Sequence, residues 1–375
     1  MASIVPSAAT PAAPETALER RFPALAGRLA RVRLVDAPTP LQPLRALGGE
    51  LGADLWVKRD DLSGLAYGGN KPRKLELVLG AAQRDGRHSV LTFGGLGTHH
   101  GLATTIAARA LGMRSLLVLV PQPVTDAVRH ALLLDHAYGA ELHYAASAAR
   151  AAVIGATLLA RETVAGRRPL LIPPGGSSVI GTIGYVDAGL ELAEQIAAGV
   201  GPEPSVVFVP LGTGGTAAGL LLGFALAGLR TRVVAVLVND ITPPGQARIL
   251  DLARRAARHL HGLDPAVPRE PALEPERLVV VTDQLGPGYG AASAAGEDAC
   301  HRIAALEGLR LDSTYTAKCL AALLDHAARD ASRGQTLLFW HTYSAVDPAV
   351  HLAAFPHPRQ LPRAFHRFFA GNESV

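Results

Sequence analysis

Pro204-SVVFVPLGTGGTAAGLLLGFALA-Gly228 is the longest uncharged run in the chain. By count alone it would span a bilayer, which takes about 20 apolar residues. Its composition divides it instead. Residues 205–209 are rich in β-branched side chains, 210–215 are punctuated by proline and glycine, and 216–227 have the character of a helix. A strand, a glycine turn and a helix form a soluble α/β unit, so the run predicts no membrane association and a cytoplasmic protein.

The same alternation extends outward in both directions. Short β-branched runs predict strands over 89–93, 115–120, 141–144, 170–172, 205–209, 232–237, 278–281 and 336–340, with helices over 72–84, 100–111, 126–138, 151–164, 184–198 and 317–331 between them. This is the pattern of mostly parallel sheets flanked by helices, whose ligands bind in the loops beyond the carboxyl ends of the strands. Three such loops stand out: FGGLGTHH at 93–100, PGGSS at 174–178 and LGTGGT at 211–216.

With 375 residues, 49% of them hydrophobic, the chain can bury a core of about two domains. Its formal charge of +4 comes from interspersed arginines, with no basic stripe carrying aromatics, which argues against nucleic-acid binding. Cys300 and Cys319 form no motif, as in a reducing compartment. The proline-broken N-terminus has no basic segment ahead of an apolar run and predicts a disordered lead over 1–20 rather than a signal peptide.

The lysines carry the sharpest chemical signal. Of 36 basic residues only Lys58, Lys71, Lys74 and Lys318 are lysines. A position that keeps lysine in an arginine background is a candidate for losing its proton and acting as an amine nucleophile. Lys71 follows Gly68-Gly69-Asn70 and opens a predicted helix, where backbone can approach a flat ligand and the helix dipole disfavours the ammonium. For the other three, ion-pair or positioning roles compete with chance retention. The second signal is Gly212-Thr213-Gly214-Gly215-Thr216, a strand-to-helix turn with amides and two hydroxyls for an anion. It lacks the lysine of a nucleotide-binding P-loop and the dinucleotide spacing, which favours a small phosphate ester.

Taken together, Asn70-Lys71 within VKRDDLSGLAYGGNKPRKLE, Pro174-Gly-Gly-Ser177 with Gly184-Tyr185, residues 212–216, Gly286-Pro-Gly-Tyr289, Leu311-Asp-Ser-Thr-Tyr-Thr-Ala-Lys318 and His341-Thr342 resemble, in that order, the D-cysteine desulfhydrase and 1-aminocyclopropane-1-carboxylate (ACC) deaminase family. The resemblance runs over about residues 32–355. It implies an α/β enzyme of the tryptophan-synthase-β-like type with pyridoxal 5′-phosphate (PLP) as cofactor, a small amino acid as substrate and a homodimeric assembly. It also implies a large domain over 21–71 and 184–375 and a small mobile domain over 72–183.

Carried over by position, Lys71 is the Schiff-base lysine with Asn70 beside the cofactor ring. Gly212, Thr213, Gly214, Gly215 and Thr216 hold the phosphate, Thr316 and Thr342 lie near the pyridine nitrogen, and Tyr289 and Tyr315 lie near the substrate. Where the family commonly has Gln-Ser-Asn-His, this chain has Gly97-Thr98-His99-His100, so Thr98, His99 and His100 become the substrate-facing residues. Adjacent histidines point apart on a helix and no third ligand is evident, so no metal is expected. Ser178 replaces a common asparagine, and Tyr343-Ser344 replace two glycines.

ACC deaminases carry glutamate where this chain has Thr316. A hydroxyl holds the ring proton less strongly than a carboxylate, which favours α,β-elimination from a D-cysteine-like substrate over cyclopropane opening. ACC deamination, β-replacement, racemisation and a non-catalytic PLP-binding role remain the alternatives.

Overall fold

The computed structural model describes residues 15–241, 243–329 and 332–370. Among the described residues ten strands form two separate sheets. β1 (Leu41–Pro43), β2 (Asp54–Lys58), β7 (Val206–Leu211), β8 (Arg232–Leu237), β9 (Leu278–Val281) and β10 (Thr336–Trp340) make the larger, in the order β1-β2-β10-β7-β8-β9. β3 (Ser89–Gly95), β4 (Arg114–Val120), β5 (Glu141–Tyr144) and β6 (Leu170–Leu171) make the smaller, in the order β5-β4-β3-β6. Every pairing is parallel except β1 with β2.

Parallel sheets covered on both faces need apolar residues at every position, and alternate side chains enter different cores. In the larger sheet Val207, Val209, Val233, Leu338 and Trp340 pack in one cluster, while Val206, Phe208, Val234, Leu337 and Phe339 pack in the opposite one. In the smaller sheet Leu116 and Val118 face Ala151 and Leu158, while Leu117 and Leu119 face Val128 and Leu132.

The long helices are α3 (Asn70–Arg84), α4 (His99–Ala110), α5 (Asp126–Ala137), α6 (Ala148–Val164), α7 (Val179–Ala197), α8 (Gly215–Ala227), α9 (Gln246–Leu263), α10 (Ala294–Glu307) and α11 (Thr316–Ala327). Short helices α1 (Ala17–Arg21), α2 (Arg45–Leu51) and α12 (Arg363–His366) complete the set. Serine and threonine hydroxyls at Thr98, Thr125, Ser147, Ser178 and Ser293 cap α4, α5, α6, α7 and α10 by accepting first-turn amides. α8 is apolar almost all round and crosses α7 closely, because a Cβ on Gly219 or Gly223 would collide with carbonyls of α7.

The disordered lead expected over 1–20 needs correction at its end. Residues 1–14 lie outside the described residues, but Ala17–Arg21 is helical, with Thr16 and Glu19 forming a reciprocal capping box and Leu18 buried against the large core. The expected strands all occur within one or two residues of their limits, whereas β1 and β2 were not anticipated. Both are short, and Asp54-Leu-Trp-Val-Lys58 carries charges at each end that hide its apolar centre.

Residues at the carboxyl ends of β3 (Phe93, Gly94, Gly95), β4 (Val120), β7 (Pro210, Gly212) and β8 (Asn239), and after β10 (Thr342, Tyr343, Ser344), border one cavity of about 410 Å³.

Candidate active site

Lys71 enters this cavity from the first turn of α3. The chain reaches it through Gly69, whose φ of 84° and close approach to the Thr342 carbonyl exclude a side chain. The Lys71 amine donates to Asn70 Oδ1 at 2.5 Å and lies 5.8 Å from the Tyr315 ring centre. Burial lowers its pKa to about 8, with Asp312 opposing the shift. The other three lysines are spent on protein groups. Lys58 (0% exposed) pairs with Glu191, Lys318 (0%) donates to the carbonyls of Leu285 and Gly288, and Lys74 (3%) donates to the Gly175 carbonyl.

The strand-turn-helix at 212–216 lies across the cavity. Gly214 has a φ of 91°, and α8 begins immediately after it. Asn70 Nδ2 donates to Thr216 Oγ1 at 3.2 Å, which links this cup to the lysine. Gly212, Thr213, Gly214 and Thr216 border the cavity, but Gly215 does not. Its N–H donates to Ser177 Oγ at 3.2 Å, and that hydroxyl also meets Thr213 Oγ1 at 2.6 Å. The first-turn amides of Thr216 and Ala217 have no intrahelical acceptors, as at any helix start.

Thr342 borders the cavity, and Thr316 is buried at the start of α11, where it donates to Asp312 Oδ1 at 2.6 Å, a carboxylate that itself borders the cavity. Asp312 also accepts the amides of Thr314, Tyr315 and Thr316, so it fixes the start of α11 and with it the position of Tyr315.

The two phenols converge in the cavity. Tyr289 OH and Tyr315 OH are 2.7 Å apart, and burial raises both pKa values, keeping the pair protonated. Close to the phenols, Thr98 caps α4, accepting the Gly101 amide at 3.2 Å, and the His99 ring lies 6.2 Å from that of Tyr315. His99 and His100 turn to different partners: His99 Nδ1 meets Tyr67 OH at 3.1 Å, and His100 Nε2 meets Thr92 Oγ1 at 3.1 Å. Burial is the main cause that lowers both histidine pKa values, to about 3 for His100, where Lys71 and Lys74 add to it.

Tyr343 and Ser344, where the chain departs from the family's glycines, border the cavity, and so do Tyr67, Lys74 and Asp312, to which sequence reasoning gave no site role. Lys74 carried a signal in its scarcity, and Tyr67 and Asp312 lie within stretches that carry the family resemblance.

An amine of lowered pKa, an amide bridging it to a helix-capped anion cup, and a pair of phenols are the parts of an α/β enzyme built around a phosphorylated carbonyl cofactor. A family model described as pyridoxal-phosphate dependent enzyme matches residues 32–342. A Pyrococcus abyssi protein, provisionally named a 1-aminocyclopropane-1-carboxylate deaminase, is 35% identical over 85% of this chain and 93% of its own. D-cysteine desulfhydrase of Salmonella paratyphi C is 33% identical over 88% of this chain and 98% of its own. A crystal structure described as an ACC deaminase homologue superposes with a TM-score of 0.73 at 33% identity, covering 86% of this chain and 94% of that one. The chain belongs to the pyridoxal-phosphate-dependent enzymes, among relatives named as D-cysteine desulfhydrases and ACC deaminases.

The cavity residues fit the cofactor. Lys71 and Asn70 stand at one side, Gly212, Thr213, Gly214 and Thr216 at another, and Thr342 presents a hydroxyl beside the lysine's own turn, where its carbonyl accepts the Asn70 amide at 3.1 Å.

Proposed function

We propose that this enzyme catalyses α,β-elimination from a small β-substituted amino acid, with D-cysteine as first substrate and a 2-oxo acid and ammonia as products. The observation that carries the reading is the pairing, in one cavity, of an amine with a pKa of about 8 and two protonated phenols 2.7 Å apart. PLP, held by Lys71, Asn70, Gly212, Thr213, Gly214, Thr216 and Thr342, would supply the electron sink that acidifies the substrate's Cα–H.

The protein groups divide the proton transfers. At neutral pH a useful fraction of Lys71 is the free amine, which suits it to take the Cα proton. The Tyr289–Tyr315 hydrogen bond uses one phenolic hydrogen and leaves the other to protonate the leaving group. Thr98 and the first-turn amides of α4, with His99 and His100 alongside, form the positive end at which the substrate carboxylate is held. The residues over 72–183, which carry the smaller sheet, act as a mobile domain that closes over substrate and excludes water. The assembly is a cytoplasmic homodimer, a reading supported by the family resemblance and by two free thiols, Cys300 and Cys319.

The test is to incubate the holoenzyme with D- and L-cysteine, β-chloro-D-alanine and ACC and to assay 2-oxo acid and ammonia. Release from D-cysteine or β-chloro-D-alanine is expected. Release from ACC with none from any β-substituted alanine would overturn the reading. Light scattering gives the oligomeric state, with a mass of two chains expected.

A further inference from the structure

Tyr67 precedes Gly68-Gly69-Asn70-Lys71 and was given no role of its own; its hydroxyl makes one defined contact, 3.1 Å from His99 Nδ1. The ring is buried, and no other partner for that hydroxyl is present among the described residues. His99 is held edge-on by Tyr343 at 5.2 Å and by Tyr315 at 6.2 Å between ring centres. It borders the cavity, and its Nε2 makes no hydrogen bond among the described residues.

Two proton arrangements of neutral His99 are available. With hydrogen on Nδ1, the imidazole donates to the Tyr67 oxygen, and the phenolic hydrogen is left buried with no acceptor, a loss of about 1–3 kcal/mol. With Tyr67 donating to Nδ1, both groups are satisfied and Nε2 carries the hydrogen. The imidazolium is disfavoured by burial and by Lys71, with Asp312 opposing. His99 then presents a pure donor at the N-terminus of α4, beside the Thr98 cap. An asparagine, common here in the family the sequence resembles, offers an acceptor as well as a donor.

Resting on the elimination reading of the site, we infer that Tyr67 is a positioning residue that locks His99 as its Nε2–H tautomer, and that this N–H donates to the carboxylate of the amino-acid substrate. The chain thereby selects amino acids with a free carboxylate over their amides and esters. A donor with no acceptor face beside a helix N-terminus suits an anion, and the carboxylate is the anion shared by all candidate substrates.

The tautomer is read by ¹⁵N–¹H NMR of histidine side chains in the wild-type holoenzyme. His99 is expected as Nε2–H, and as a mixture in Tyr67→Phe; an Nδ1–H His99 in the wild type overturns the lock. Ligand recognition is read by calorimetry with D-alanine and D-alaninamide. His99→Phe is expected to weaken D-alanine by about 10- to 100-fold while changing D-alaninamide by no more than about twofold. Tyr67→Phe should raise KM with kcat nearly constant. Equal losses for both ligands, no loss for either, or no D-alanine binding by the wild type overturns the inference. Neither ligand carries a β leaving group, so these results stand whether or not elimination occurs.

Discussion

At Lys71 the chemistry rests on one amine whose proton affinity the fold has reduced, and that reduction also enters stability. Its folded pKa is about 8 against an ordinary 10.5. Between those values the unfolded chain binds a proton that the folded chain has released, so this group makes stability rise as pH rises from about 8 to about 10.5. Lys71→Met in the cofactor-free protein is expected to stabilise at pH 7 and to remove that part of the rise, as measured by urea unfolding across the range. In the holoenzyme, borohydride-fixed cofactor should map to the Lys71 peptide and vanish in Lys71→Ala; label on Lys74 or Lys318 would displace the assignment. Gly214 gives a second residue-scale prediction. A side chain at φ 91° costs about 1–2 kcal/mol and meets Ile249, so Gly214→Ala should lose PLP faster in dialysis than the wild type. Lys71, the glycine cup and the phenols were legible because scarcity, spacing and order are properties of a sequence. The bond from Thr316 to Asp312 was not legible, because a one-dimensional position does not say which way a side chain points from a helix's first turn.

At the scale of the element, α3 holds both the reactive amine and the strongest buried ion cluster. Arg73, two residues after Lys71, pairs with Asp60 at 2.8 Å and Glu191 at 2.9 Å, and Lys58 joins Glu191 from β2. Asp60 also accepts Tyr185 OH and Trp340 Nε1, each at 2.7 Å. Two cations and two anions balance, so removing one leaves a charge buried without its partner. Arg73→Met is expected to cost about 3–5 kcal/mol in denaturant unfolding, far more than a surface pair would. A Cβ on Gly184 would strike the Arg73 carbonyl, so Gly184→Ala should push α7 off α3 and cost about 1–3 kcal/mol. Beyond an ion-pair role offered for Lys58, this cluster was not legible from sequence, because its members lie as far apart as Lys58 and Trp340 and only the topology joins them. The helices α3, α4 and α5 were read to within two residues, whereas α6 and α7 begin three and five residues ahead of the expected starts. The helices α9 and α10 were not among those read; they lie in a segment where proline-rich loops interrupt the alternation.

At the scale of the whole molecule, two parallel sheets present their carboxyl ends to one cavity, and the α/β class was visible from the alternation of runs. The split between sheets was legible only through the family resemblance, since no linker composition marks residue 72 or 183. If the smaller sheet closes over substrate, D-alanine should slow hydrogen exchange in residues 94–101 of the holoenzyme while leaving β7 and β8 unchanged; slowing confined to α8 would argue for a rigid cavity. The burial of Lys58, Lys74 and Lys318, together with the enclosure of Lys71 in the cavity, has a consequence for the exterior. The positive charge there is carried by guanidinium groups, which resist acylation, carbamylation and glycation near neutral pH. An amine-directed ester applied at pH 8 therefore finds no exposed lysine, and a dye, a solid support or a crosslinker that couples to a lysine side chain is expected to report on the cofactor site.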